Sequence, residues 1–291
     1  MKIGVIGTVG KWSSEQLADE LNRLTGFRFL VGMNELVISG NQGKVSTRGM
    51  DLMDLDAVII KKISEQYSHD LMDRLEILFS LERRGLRCFS TPAAIATAAN
   101  RLSCTLRLLE SGLPMPQTVI TESLEYAAIA VARMKKVIAK PLFSTKARGM
   151  QIIEDGPYAM DQLREFASRN PILYLQQMED LQGKDYGLAF LGGRFLGAYA
   201  RVGNPDSWNT TILSGGKYEP YEPPQEYIEL ASRAQAQVGL DFTGVDLAVT
   251  EHGPVVFEVS AFGGFSGLSQ ANQINAARLY AEYVVDQLEG K

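Results

Sequence analysis

The segment Gly244–Gly264, GVDLAVTEHGPVVFEVSAFGG, limits the folds open to this chain more than any other. Val245, Leu247 and Val249 alternate with Asp246, Ala248 and Thr250. After a turn at His252-Gly253, Val255, Phe257 and Val259 alternate with Val256, Glu258 and Ser260. Period-two alternation about a Gly-containing turn predicts an antiparallel hairpin. Same-face residues lie close across such a pair, so Asp246 and Glu258 are expected together on a sheet that otherwise reads as buried. Two carboxylates so placed repel each other unless a positive charge neutralises them. A divalent cation does this, and hard oxygen ligands suit magnesium. Two edge carboxylates facing water are the plainer alternative.

The chain before the hairpin alternates strands and helices. Strands are expected at 2–7, 27–31, 56–63 and 87–90, with helices from Ser13 or Ser14 to about Leu24 and over Tyr67–Arg84, where Leu71, Leu75, Leu78 and Phe79 share a face. The second helix includes His69 near its start. Such alternation predicts an open parallel α/β sheet, whose ligands bind beyond the strands' carboxyl ends. Gly7–Gly10 and the Lys61-Lys62 pair are therefore candidate substrate contacts, with a turn glycine and a solvated lysine as the ordinary readings. GVIGTVG has glycine spacing GxxGxxG, not the GxGxxG of a dinucleotide site, and no acid closes the second strand.

Pro92–Gly112 is Ala-rich and reads as one helix with Ile95, Leu102, Leu106 and Leu109 on one face; the first domain boundary is expected within it. Beyond it come a strand at TVIT, a helix over 123–134, and the strand VIAKPLF at 137–143. Lys140 sits among apolar neighbours at the end of that strand, where an ammonium rarely goes without an anion. The loop Ser144–Gly149, with Lys146 and Arg148, is suited to closing on phosphates through backbone N–H groups and cations. A strand at 172–178, a hairpin from Asp185 turning at Gly192-Gly193, and a long polar loop over 204–220 follow. The last stretches are a helix at 223–239, the opening hairpin, a Gly-rich turn and an amphipathic terminal helix.

With 291 residues, 45% of them hydrophobic and 22% charged, the chain has enough material for two or three small cores and is not disordered by composition. A formal net charge of -5 argues against a role in holding nucleic acid. The two cysteines, Cys88 and Cys104, form no CxxC, which fits a reduced, cytoplasmic setting. The apolar run at the N-terminus reads as too short for a signal peptide, and no membrane helix is expected. With two histidines, His69 and His252, a catalytic triad or a histidine-bound metal is a poor fit.

Taken in order, these features resemble the ATP-grasp fold, and most closely the RimK-like carboxylate–amine ligases. The segments that carry the resemblance are PAAIATAANRLSCTLRLLESGLPMPQT, VIAKPLFSTKARGM, YLQQMEDLQGKDYGLAFLGGRFLGAYARVG and GVDLAVTEHGPVVFEVSA. A narrower resemblance is to the GAK-system ATP-grasp enzymes. The resemblance implies an N-terminal open parallel α/β domain (residues 1–98), a central lid subdomain (99–175) and a C-terminal subdomain (176–291), the last two α+β and sandwiching ATP.

Residue by residue, it implies the following roles. Lys140 binds the ATP phosphates. Arg101 stands where the family has lysine, and Asn100 where it has aspartate. Ser144, Lys146, Arg148 and Gly149 belong to the phosphate loop, which is normally richer in glycine. Gln177 and Met178 offer backbone groups to adenine, and Asp185 lies near the ribose. Arg201, Asn209 and Thr210 approach the γ-phosphate and acyl acceptor, with Arg201 and Lys140 as the catalytic cations. Asp246 and Glu258 are magnesium ligands, and Ser260 stands in place of the usual Asn. The implied activity is ATP- and Mg2+-dependent joining of a carboxylate to an amine through an acyl phosphate. One or two Mg2+ are expected, with Mn2+ as a substitute. The substrates would be a small-molecule or peptide carboxylate and an amine such as an amino acid, without nucleic acid or membrane, in a homo-oligomer. Three other readings are a phosphotransferase on the same fold, a nucleotide-binding protein without turnover, and a dehydrogenase.

Overall fold

The computed structural model describes every residue except Asn41, Gln42, His69, Asp206 and Lys291. His69, read as part of the second helix, and Asp206, within the polar loop, thus lie outside the described residues. The first half of the chain contains β1 (Ile3–Ile6), α1 (Trp12–Thr25), β2 (Leu30–Val31), β3 (Val37–Ser39), β4 (Lys44–Thr47), β5 (Met50–Asp51), β6 (Ala57–Ile60), α2 (Asp70–Arg83), β7 (Arg87–Phe89), α3 (Pro92–Ala99) and α4 (Arg101–Glu110). It continues with β8 (Thr118–Thr121), α5 (Leu124–Met134), β9 (Lys136–Lys140), β10 (Gln151–Glu154), α6 (Ala159–Arg169) and β11 (Leu173–Gln177). The remainder holds β12 (Lys184–Leu191), β13 (Arg194–Val202), β14 (Lys217–Pro220), α7 (Gln225–Ala236), β15 (Phe242–Thr250), β16 (Gly253–Val259), α8 (Ser266–Asn272) and α9 (Ala276–Glu289).

Apolar strands pair into a parallel sheet ordered β2-β1-β6-β7, as the strand–helix alternation predicts. Its carboxyl edge lies at Ile6 and Ile60, where the Lys61 and Lys62 N–H groups both donate to the Ile6 carbonyl. Helix α2 buries Leu71, Leu75, Leu78 and Leu81, one per turn. Helix α1 stops at Gly26, whose φ of 72° needs no Cβ, with its N–H capping the Asn22 carbonyl.

A second, antiparallel sheet runs β10-β9-β11-β8 under α5 and α6 and has its own core around Val137, Leu163, Phe166 and Leu175. The third, β14-β13-β12-β15-β16, shares its core with the N-terminal sheet. One shared cluster joins Val58, Leu78 and Ile95 to Leu188, Val245 and Val256. Another joins Leu17 and Leu21 of α1 to Tyr280 and Val284 of α9. The N- and C-terminal sheets are thereby held together, while the central sheet has its own core.

Several expectations change. The 92–112 helix is two, α3 and α4, broken at Asn100; this residue has extended backbone and its Oδ1 accepts from Ser103 N at 3.3 Å, capping α4. Residues 37–51 contain an additional sheet, β3-β4-β5. The polar loop ends in β14, and the Gly-rich turn leads into α8. The hairpin turn falls at Glu251-His252, one residue earlier than the sequence pattern places it, since Thr250 pairs with Gly253.

Candidate active site

Two β-bulges determine which charges meet. Counted back from the Gly192-Gly193 turn, Asp185 would face Ala200. A register shift at Ala189/Phe190 instead sets Asp185 opposite Arg201. Counted back from the Glu251-His252 turn, Asp246 would face Phe257. A shift at Asp246/Leu247 sets it opposite Glu258, while Val256 keeps the turn's register opposite the buried Leu247. The strict alternation expected for β16 is corrected accordingly: Val256 leaves the face of Glu258, and Phe257 is the bulge's extra residue. The two acids are partners, as the sequence predicts.

Each acid meets an arginine. Arg201 forks onto Asp185, with Nε 3.1 and 3.0 Å from the two oxygens and Nη2 also bonded to Oδ2, and its Nη2 lies 3.0 Å from Asp246 Oδ1. Arg101 donates from Nη1 to Glu258 Oε2 at 3.1 Å and from Nε to the Pro141 carbonyl at 3.1 Å. Asp246 titrates above the usual carboxylate range: burial raises it most, Glu258 and Asp185 add to the rise, and Arg201 opposes it. Burial works to lower Arg201, but Asp246 and Asp185 hold it well above the usual guanidinium value.

Lys140 ends β9 and is 7% exposed. Its Nζ bonds to Gln176 Oε1 and lies 5.2 Å from the centroid of the Phe257 ring. Its pKa is lowered to about 7, by burial first and then Arg101, with Glu258 and Asp246 opposing. Gln176 is missing from the sequence reading. It is almost fully buried, and its Nε2 donates to Thr118 Oγ1 at 3.0 Å and Tyr174 Oη at 3.4 Å. The YLQQM string hides this, because two adjacent glutamines in a strand do not reveal which one points inward. Lys140→Ala is expected to weaken nucleotide binding by about 1.5–3 kcal/mol, the scale of a lost charged hydrogen bond. Calorimetry with ADP checks this, and an unchanged dissociation constant would exclude Lys140 from the phosphates.

The charged groups line one cleft of about 770 Å³ that runs from the N-terminal sheet's carboxyl edge to the β12–β16 sheet. Ser144, Lys146, Arg148, Asp185, Arg201, Asn209, Thr210, Asp246, Glu258 and Ser260 all line it, together with Arg101 and Lys140. Lys61, Lys62 and Thr8 line its other end. Gly149 is not a lining residue; its φ of 69° shapes the phosphate loop, where a Cβ would lie 3.2 Å from Pro141 Cγ. Gln177 and Met178 also stand outside the lining, and their N–H groups donate to the Gln117 and Lys136 carbonyls at 2.8 and 3.0 Å. Both N–H groups are thus paired within the chain. Asn209 Oδ1 is engaged locally, accepting from Thr211 N and Oγ1.

The donor set fits magnesium. Asp246 and Glu258 are paired oxygen donors, and Mg2+ characteristically takes one or two carboxylates and completes its shell with phosphates and water. Among the described residues no group of three or more His, Cys, Asp or Glu side chains is arranged to hold a metal, and the residues that would hold one are this pair, with Ser260 lining the same cleft.

A cleft between two α+β sheets, with a strand lysine, an adjacent loop and a paired-acid hairpin, defines an ATP-grasp nucleotide site. The chain belongs to the RimK-like ATP-grasp family, whose model matches residues 98–284, and it is an ATP-dependent, ADP-forming carboxylate–amine ligase. Its relatives include the tetrahydromethanopterin:alpha-L-glutamate ligase of Methanosarcina acetivorans, 26% identical over 97% of this chain and 98% of that protein. A probable alpha-L-glutamate ligase of Maridesulfovibrio salexigens is 24% identical over 72% of this chain and 70% of that protein. Among solved structures, the ATP-grasp ligase PsnB complexed with a minimal precursor superposes with a TM-score of 0.77 at 18% identity, covering 99% of both chains. A RimK domain ATP-grasp protein from Sphaerobacter thermophilus superposes with a TM-score of 0.76 at 19% identity, covering 97% of this chain and 99% of that one. The family uses ATP and magnesium, and its ligases act on amino-acid or peptide substrates. No helix among the described residues is long and apolar enough to cross a membrane.

Proposed function

We propose that this enzyme activates a carboxylate as its acyl phosphate and joins it to the amine of an amino acid, with glutamate the first candidate. The observation that carries the reading is the continuous cleft. Its phosphate cations and acid pair open directly onto the carboxyl edge of the parallel sheet, where a second ligand has room. The glutamate ligases among its relatives support an amino acid as the amine.

A carboxylate is a poor acylating agent, and transfer of the ATP γ-phosphoryl group gives it a leaving group. Such transfer depends on charge neutralisation and in-line positioning. In this reading Lys140 and Arg101 hold phosphates, and Arg201 is held by Asp185 beside Asp246. Magnesium, when bound, would sit with Asp246 and Glu258 and neutralise phosphate charge. The thiol of Cys104, which also lines the cleft, is pushed up to about 11, mainly by burial. It is thus a weak nucleophile at neutral pH, consistent with direct attack by the amine.

An acyl phosphate must be shielded from water. Residues 144–149 form a partly exposed loop with Lys146 and Ala147 at φ of 60° and 57°. This loop is expected to become resistant to limited proteolysis when ATP and Mg2+ are added together; cleavage at the same rate with and without them would remove its lid role. The reading as a whole is tested by an ADP-release screen of small acids and peptides against amino acids. ADP should form only when an acid and an amine are both present. Phosphate retained on a stable product would overturn ligation.

A further inference from the structure

The far end of the cleft holds two lysines to which the nucleotide site gives no role, facing the cations of the phosphate loop. Lys61 and Lys62 leave β6 side by side at the sheet's carboxyl edge. Lys61 is buried and bound: its Nζ donates to the Gly263 carbonyl and stands 4.0 Å from the centroid of the Phe265 ring. Lys62 is different. It is half-buried, and its ammonium is steadied by two rings, 4.8 Å from Tyr67 and 4.9 Å from Phe262. Lys146 and Arg148 of the phosphate loop also line the cleft, and both are close enough to lower the Lys62 pKa, which falls to about 8 with burial as the leading cause.

Among the described residues, none of Lys62, Lys146 and Arg148 forms an ion pair. The nearby pair is Lys11 with Glu65, at 3.3 Å, and the cleft's own acids are engaged by Arg101 and Arg201. The whole chain carries 34 acidic and 29 basic residues, so a general shortage of acids does not explain this gap. A half-buried ammonium with two exposed cations beside it and no counter-charge is disfavoured in the free protein, and an anionic ligand removes that cost. The aromatic pair matters too. It fixes the ammonium in one place, as a recognition group requires and a solvated surface lysine does not.

We propose that Lys62, faced by Lys146 and Arg148, forms a subsite for a second carboxylate of the acid substrate, so that the acid this enzyme activates is a di- or oligocarboxylate. The proposal rests on the ligase reading for the word substrate, but the subsite itself is tested by binding alone. The carboxylate being activated must lie toward Lys140 and the acid pair. The second is held at the opposite end, by the sheet edge, and sets both orientation and selectivity.

The probes are glutarate, tricarballylate and tri-L-glutamate, each compared by calorimetry, with ADP and Mg2+ present, to its amide analogue that keeps one carboxylate. The wild-type chain should bind at least one polycarboxylate about tenfold or more tighter than its analogue, the value of a charged hydrogen bond. Lys62→Met, which keeps an apolar stem between the two rings, should erase that preference. Lys62→Arg should restore it, and the ADP dissociation constant should stay within about twofold in both, the scatter of an uninvolved group. No preference in the wild type for any of the three, or a preference that survives Lys62→Met, would overturn the subsite. So would an ADP affinity that falls as much as the acid's, since Lys62 would then belong to the nucleotide phosphates. The same acids are assayed for ADP release with hydroxylamine as the amine. Preference without ADP release from any acid removes the ligase reading and leaves an anion subsite. ADP release without preference removes the subsite and leaves the ligase.

Discussion

Replacing Asp246 with Asn and Glu258 with Gln together should reduce magnesium-dependent ATP turnover by about three decades or more. Neutralising phosphate charge is worth several kcal/mol in a phosphoryl transfer, and each 1.36 kcal/mol is about tenfold in rate. The amides keep the size of the acids but not their charge, so the β15–β16 pairing should survive. The arginines also keep partners: Arg201 retains Asp185, and Arg101 retains the Pro141 carbonyl. Loss of activity would thus not be loss of fold, which denaturant titration of the same variant checks. The two positions are not equal. The Asp246 side chain is 17% exposed and that of Glu258 42% exposed, so Asp246→Asn alone should be the more damaging single change. A double variant that keeps its turnover within about tenfold at saturating Mg2+ would refute the metal assignment.

How far the site could be read in advance depends on what kind of signal each residue left. Lys140, Asp246 and Glu258 were legible because a charge inside an apolar strand is costly and needs a reason. The parallel sheet was legible because its apolar runs are short and regularly spaced by helices. Gln176 was not, since an uncharged polar residue beside another in a strand carries no directional mark. The Asp185–Arg201 fork was hidden for a different reason. Its two members are named by the order of motifs, but their contact depends on a one-residue bulge, and counting from the turn puts Arg201 out of register. Asp246 and Glu258 are brought together by the hairpin pattern itself, although their direct opposition also depends on a bulge. Residues 37–51 escaped because their strands are short and exposed on one member, so no buried face imposes a period. Asn100 reads as a departure from an acid, yet its carbonyl oxygen caps α4 as an acid's would. That part of the substitution is structurally conservative, while Arg101, the next residue, replaces a point charge with a fork that holds Glu258 and a carbonyl at once.

Arg201→Met should be the most destabilising single substitution in the cleft, because it leaves Asp185 and Asp246 without their shared cation. Removing one partner of a fully buried charge pair costs about 3–5 kcal/mol. The Arg201 side chain keeps 18% of its exposure, so the lower end of that range is expected. The effect has a pH signature with a definite sign. Asp246 already titrates above the normal carboxylate range, through burial first and then Glu258 and Asp185, while Arg201 is the group that pulls it down. Without Arg201 its folded pKa climbs further. A carboxyl group with a raised folded pKa binds more protons folded than unfolded throughout the window between the two values. Stability therefore falls as pH rises through that window, and the penalty is complete above the folded value. Denaturant unfolding of wild type and variant at pH 5 and pH 8 should show a clearly larger gap at pH 8. The arginine also acts as the cation that these acids hold when no metal is present. Mg2+ should consequently raise the stability of Arg201→Met by more than that of the wild type, through binding to the folded state alone. Equal gaps at the two pH values together with no differential Mg2+ effect would show that Arg201 contributes packing rather than charge, and would separate its structural role from the metal pair.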